Sequence, residues 1–140
     1  MKKEYQIAIN EFIKKVLKLK VISIVLFGSF ARKENTNYSD LDMLVVMEDL
    51  PEKWSDRIEI LVPITAKIAM EYGVTISPIC MTKDEVLDNL HAKTPMFIDM
   101  TRGYKVLYDK GFFVKSIREF SEEVSKIYIY NKRQKVWIES

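Results

Sequence analysis

Apolar and polar positions alternate along this chain in two distinct periods, and the changes of period mark out its elements. Residues 3–19 place Tyr5, Ile9, Phe12, Ile13 and Val16 at helical spacing with lysines opposite, which predicts an amphipathic helix. Residues 21–27 are β-branched and apolar without interruption and stop at Gly28, which predicts a buried strand. A helical turn is expected at 29–33, a polar loop at 34–39 and a second apolar strand at 41–47, closed by Asp49-Leu50-Pro51. The connection between these two strands is too short for a right-handed crossover helix, so they should pair antiparallel.

The helical period returns over 55–72, with Ile58, Leu61, Val62, Thr65, Ile68, Ala69 and Tyr72 on one face and Gly73 placed as the C-cap. Pro63 falls inside this pattern and should kink the helix or split it. A third strand is expected at 74–80, weakened by Pro78. Thr82 and Glu85 have the spacing of a capping box at the start of another helix. A short helix at 95–102, a strand at 105–108 and a turn at 109–111 follow. Ile117, Phe120, Val124 and Ile127 define a last helix, with Ile127 to Tyr130 as an apolar cluster late in it. The order of elements predicts a small α/β (α+β) domain: a mixed sheet flanked by helices, spanning 1–140, with a C-terminal helix and basic tail over about 112–140.

Composition narrows the function by exclusion. Hydrophobic residues make up 48% of the chain, too many for a disordered protein. With 22 basic and 20 acidic residues the net charge is +2, too balanced to argue for a nucleic-acid coat. Lys132, Arg133 and Lys135 add only three charges, so no nucleic-acid partner is expected. The single cysteine, Cys80, permits no internal disulfide, and with the single histidine, His91, it makes no zinc site. No apolar run is long enough for a membrane span, and Met1-Lys2-Lys3-Glu4 leads into a charged helix rather than a signal peptide. A cytoplasmic location is therefore expected.

The chemistry is concentrated in two short segments. Asp40 and Asp42 stand one residue apart at the start of the second strand, so their side chains share a face. Two carboxylates held together repel, and a hard divalent cation, Mg²⁺ or Mn²⁺, resolves the conflict while also binding phosphate oxygens. Upstream, Gly28 lets the backbone approach a ligand, Ser29 adds a hydroxyl, and Arg32 stands one turn later, able to face the same anion. A Gly-Ser after a strand is commonly only a turn, and an Asp-x-Asp at a strand edge is commonly a solvated pair. The combination is the signal: Gly28-Ser29-x-Ala31-Arg32, six residues, then Ser39-Asp40-x-Asp42-x-Leu44-Val45-Val46, each part joined to an apolar strand.

This combination, over residues 21–47, resembles the signature of the DNA polymerase β-like nucleotidyltransferase superfamily, and within it the minimal nucleotidyltransferases of the MNT type. The resemblance implies transfer of NMP from an NTP, with ATP the expected substrate, to an acceptor. It implies that Gly28 and Ser29 contact the triphosphate and that Asp40 and Asp42 are the catalytic, metal-holding pair; Arg32 and Ser39 are the further candidates for nucleotide contact. Many such proteins act as antitoxins beside a helical HEPN-type partner, and in the MntA-type branch a tyrosine of that partner is the acceptor. A homo-oligomer is the other assembly considered. The superfamily also uses a third carboxylate on a neighbouring strand. Here the matching strand reads Val74-Thr75-Ile76-Ser77, with hydroxyls where the acid belongs. A hydroxyl cannot act as a base at neutral pH. Either Glu71, Asp84 or Asp99 substitutes, or the chain is a catalytically weak or inactive relative that works by binding its partner.

Overall fold

The uninterrupted apolar run at Val21–Phe27 becomes β1, and all seven of its residues are buried. The computed structural model describes all 140 residues. A strand buried on both faces must be covered by other elements on each side, and the rest of the chain supplies them. In chain order these are α1 (Lys3–Val16), β1, α2 (Gly28–Ala31), β2 (Leu41–Met47), α3 (Trp54–Tyr72), β3 (Ile76–Thr82), α4 (Lys83–Ala92), α5 (Pro95–Met100), β4 (Lys105–Asp109), α6 (Phe113–Ile127), β5 (Tyr128–Asn131) and β6 (Val136–Glu139).

Four strands form a mixed sheet in the order β3-β2-β1-β4. β1 is antiparallel to both β2 and β4, and β2 is parallel to β3. The expected antiparallel pairing of the first two strands is present. Alternation along β2 then sorts its side chains. Leu41, Met43 and Val45 pack with Phe12 and Val16 of α1 and with Leu61 and Ile68 of α3. Leu44 and Val46 pack on the opposite face with Val86, Phe97, Phe113, Ile117 and Phe120 from α4, α5 and α6. Asp42 has the parity of Leu44 and Val46, so it opens onto that second face at its uncovered end.

Two polar clamps tie the helices to the sheet. The capping box of α4 is formed, with Glu85 N–H donating to Thr82 Oγ1 at 3.2 Å and Thr82 N–H to Glu85 Oε1 at 2.9 Å. Buried Arg57 of α3 reaches across to both Glu85 oxygens at 2.8 and 3.0 Å. Burial alone would raise the Glu85 carboxyl, but the hydrogen bonds from Arg57 and Thr82 outweigh it and hold it below the usual range. The second clamp is Asp109. It accepts the Ser23 hydroxyl at 2.7 Å and the N–H groups of Phe112, Phe113 and Val114 at 3.0–3.2 Å, capping α6 from the end of β4.

Three expectations are corrected. α3 is one helix of 19 residues, so Pro63 does not split it. Pro63 lies on the exposed side, where the carbonyl it leaves unbonded is open to water. The third strand is displaced toward the C-terminus and includes Pro78, which its edge position tolerates. The chain after Ile127 is a β-hairpin, β5 against β6, rather than the end of a helix and a solvated tail. Its tight connection is fixed by Asn131 Oδ1, which accepts Gln134 N–H at 2.9 Å, and by Lys135 in a left-handed conformation. No helix is long and apolar enough to cross a membrane. Cys80 is buried, and burial pushes its thiol up to about 11, so it behaves as a small apolar residue.

Candidate active site

The antiparallel register sets Phe27 opposite Asp42, which brings the end of β1 against the Asp-x-Asp start of β2. The chain then turns sharply through Gly28, whose φ is +75°. A Cβ added at Gly28 would overlap Asp42 Oδ2. Glycine is thus required twice, for a left-handed backbone and for room beside a carboxylate. Gly28→Ala should cost about 1–2 kcal/mol through the backbone alone, read as a lower denaturant midpoint. By pushing the Asp42 carboxylate aside it should also slow any reaction there by about 10²-fold.

Asp40 is exposed and Asp42 is half-buried. Burial first, and then the neighbouring charge of Asp40, raise the Asp42 carboxyl above its ordinary value, and Arg32 offsets this only in part. An anion made costly by burial and by a second anion is what a divalent cation relieves. Mg²⁺ commonly takes one or two carboxylates and completes its shell with water and substrate phosphates, so the pair fits such an ion. No group of three His, Cys, Asp or Glu side chains forms in the chain.

The strand beside the pair carries no acid. Ser77 of β3 is the register partner of Asp42, and parallel partners share a face. Thr75 lies just before the strand, its carbonyl accepting Leu41 N–H at 3.0 Å. The other carboxylates considered are paired with basic residues or lie away from the pair. Glu71 lies 3.8 Å from Lys67 in the last turn of α3. Asp84 begins α4, past the Thr82–Met47 end of the sheet and so at the far end from Asp42. Asp99 is held by Arg32 and Arg102, each at 3.3 Å.

The remaining site candidates lie in different settings. Ser29 is half-buried in α2, and its carbonyl accepts Glu34 N–H at 2.8 Å. Ser39 turns its hydroxyl into its own loop, accepting Thr36 N–H at 2.9 Å, and so shapes the approach to Asp40. Arg32 donates through Nε to Glu34 at 2.9 Å and through Nη1 to Asp99 at 3.3 Å. Glu34, Arg102 and Trp137, which complete this ionic cluster, carry no signal in the sequence, because they meet only through long-range folding. The largest hollow, about 620 Å³, lies between α1 and the loop after α2 and includes none of Gly28, Ser29, Asp40 or Asp42. With Asp40 exposed and Asp42 half-buried, the carboxylate pair is open to solvent at the start of β2.

The chain belongs to the nucleotidyltransferase domain family, which matches residues 9–132. The proposed protein adenylyltransferase MJ1305 of Methanocaldococcus jannaschii is 36% identical over 106 residues, which is 76% of this chain and 71% of that one. Among solved structures, a toxin–antitoxin crystal structure with AMP-PNP is similar at a TM-score of 0.53, with 18% identity, over 83% of this chain and 82% of that one. The spectinomycin adenyltransferase AAD(9) from Enterococcus faecialis, solved with ATP and spectinomycin, gives 0.54 with 17% identity, over 86% and 64%. At these identities the two structures speak to the fold alone.

Proposed function

We propose that this protein transfers NMP, from ATP as the expected donor, to a hydroxyl of a protein acceptor. The observation that carries the reading is Asp42 set directly against Gly28 and disfavoured as a bare anion by burial and by neighbouring Asp40. Gly28 and Ser29 would receive the triphosphate, Arg32 would face it, and Ser39 would hold the loop leading to Asp40. Asp40 and Asp42 would hold Mg²⁺ or Mn²⁺, which when bound supplies positive charge to a pentavalent phosphate centre. The acceptor oxygen forms a bond to the α-phosphorus, the bond to the bridging oxygen of pyrophosphate breaks, and the acceptor proton leaves to solvent.

A protein acceptor is supported by the similarity to a proposed protein adenylyltransferase, and a partner by the fold shared with a toxin–antitoxin structure. The acceptor we favour is a tyrosine of a HEPN-type helical protein in the cytoplasm. A surface of suitable chemistry exists: exposed Trp54, Ile58 and Val62 border a groove of about 330 Å³ with Pro78 and Ile79. The test is incubation with α-labelled ATP, Mg²⁺ and that partner. Label on a partner tyrosine, absent with Asp42→Asn, is the expected result. No transfer by correctly folded protein would overturn the reading.

Ser77 opposite Asp42 favours one alternative, a weak or inactive relative that neutralises its partner by contact. Ser77→Asp separates the two. If chemistry is limited by the missing acid, the substitution should raise the transfer rate by about 10²-fold, the scale of a positioned general base. A protein acting by contact alone would show no transfer before or after it.

A further inference from the structure

Arg32, Glu34, Arg102 and Asp99 form a closed ring of alternating charge. Glu34 takes Arg32 Nε at 2.9 Å and Arg102 Nη2 at 3.1 Å, and Asp99 takes one nitrogen from each arginine at 3.3 Å. The two arginine side chains are only 16% and 15% exposed, so both guanidinium stems are held in place, while the carboxylates of Glu34 and Asp99 face solvent at 50% and 40%. The C-terminal hairpin walls the ring. The Arg102 guanidinium lies 3.6 Å from the centroid of Tyr130, and Trp137 Nε1 donates to Asp99 at 3.3 Å. Tyr130 and Trp137 support one another edge-to-face at 5.3 Å. From the other side Gly103 crowds the Arg32 stem, since a Cβ there would come within 3.0 Å of Arg32 Cγ.

Arg32 is therefore fixed at two of its three nitrogens, while Nη2 has no protein partner. A guanidinium held in one orientation keeps its remaining donors available to an anion, which a freely rotating side chain does not. We propose that the β5–β6 hairpin is a working part of the nucleotide site at one remove, with Tyr130 and Trp137 as positioning residues that hold Arg32 ready for a polyphosphate at Gly28-Ser29. This inference rests on the reading of Gly28-Ser29 as the triphosphate site. Two aromatic residues more than 90 positions downstream then set the affinity for a nucleoside triphosphate that they do not touch.

The test measures binding, not turnover, by titrating the full chain calorimetrically with α,β-methylene ATP and Mg²⁺. Tyr130→Leu and Trp137→Phe should each weaken binding by about 3–10-fold, and Arg32→Met by at least as much, the three changes being non-additive. In the Arg32→Met background the hairpin changes should have no further effect. Tyr130→Phe keeps the ring beneath Arg102 and should bind as wild type, which a general loss of stability would not reproduce. Equal losses with and without Arg32, or full affinity in both hairpin variants, would overturn the inference while leaving the nucleotide reading intact. Wild-type affinity in Arg32→Met would also overturn it. A wild-type protein that does not bind the analogue at all would overturn the nucleotide reading itself, and the inference with it.

Discussion

Asp42→Asn should abolish nucleotidyl transfer and at the same time raise the melting temperature of the metal-free protein. The loss of activity follows from removing one of two charges at the proposed reacting centre, and should be roughly 10³-fold or more. The gain in stability follows from the cost of the native carboxylate. Its folded-state carboxyl is raised by burial and by Asp40, so the associated stability is present at acid pH and lost as pH rises through the folded value. At neutral pH the wild-type protein therefore carries a destabilising charge that the asparagine lacks. The two proteins should melt alike in acid and diverge toward neutrality. Mg²⁺ should narrow the difference by stabilising only the wild type, by about 2.7 kcal/mol at a hundred times its dissociation constant. A variant that melts lower at neutral pH, or responds equally to Mg²⁺, would contradict this account of the site.

Asp109→Ala should produce the largest loss of stability without touching the chemistry. Removing its carboxylate takes the acceptor from three backbone N–H groups at the start of α6 and from the wholly buried Ser23 hydroxyl. A lost cap together with stranded buried donors amounts to about 2–4 kcal/mol, measurable by urea unfolding. Asp109→Asn, which retains an acceptor, should lose less. Burial would raise this carboxyl, but its four donors outweigh burial and lower it below 3.8. Its contribution is therefore present above the unfolded value and disappears as pH falls through the folded one. The gap between wild type and Asp109→Ala should accordingly be full above the unfolded value and narrow as pH falls through the lowered folded one.

How far the sequence discloses this protein depends on the range of each interaction. β1 and β2 are legible because each is a short apolar run ended by a residue with its own reason to be there, Gly28 for the first and Asp49-Leu50-Pro51 for the second. The α4 cap is legible because Thr82 and Glu85 satisfy it within three residues. The proximity of Gly28 to Asp42 follows from the same local logic, since an antiparallel pair with a short connection brings those ends together. The hairpin after Ile127 was hidden because Tyr128, Ile129 and Tyr130 continue an apolar helical series, and only the pairing with Val136–Glu139 decides otherwise. The ionic ring was hidden more deeply. Glu34, Asp99 and Trp137 have no shared motif, and Arg32 meets Asp99 across 67 positions.

The sheet order has a consequence for how the molecule assembles. β1 and β2 are neighbours in sequence and in space, separated by only residues 28–40, so their pairing closes a small loop at modest entropic cost. β3 can join only after α3 has folded back over the sheet, and β4 must cross to the other edge from still further along the chain. Local contacts form faster than distant ones, which makes the β1–β2 hairpin the natural nucleus. Gly28, Asp40 and Asp42 all belong to that nucleus, whereas Ser77 belongs to a late-arriving edge. Substitutions at Gly28 should therefore slow refolding, while those at Ser77 should act mainly on the rate of unfolding. The part of the protein proposed to carry its chemistry is also the part the chain would build first.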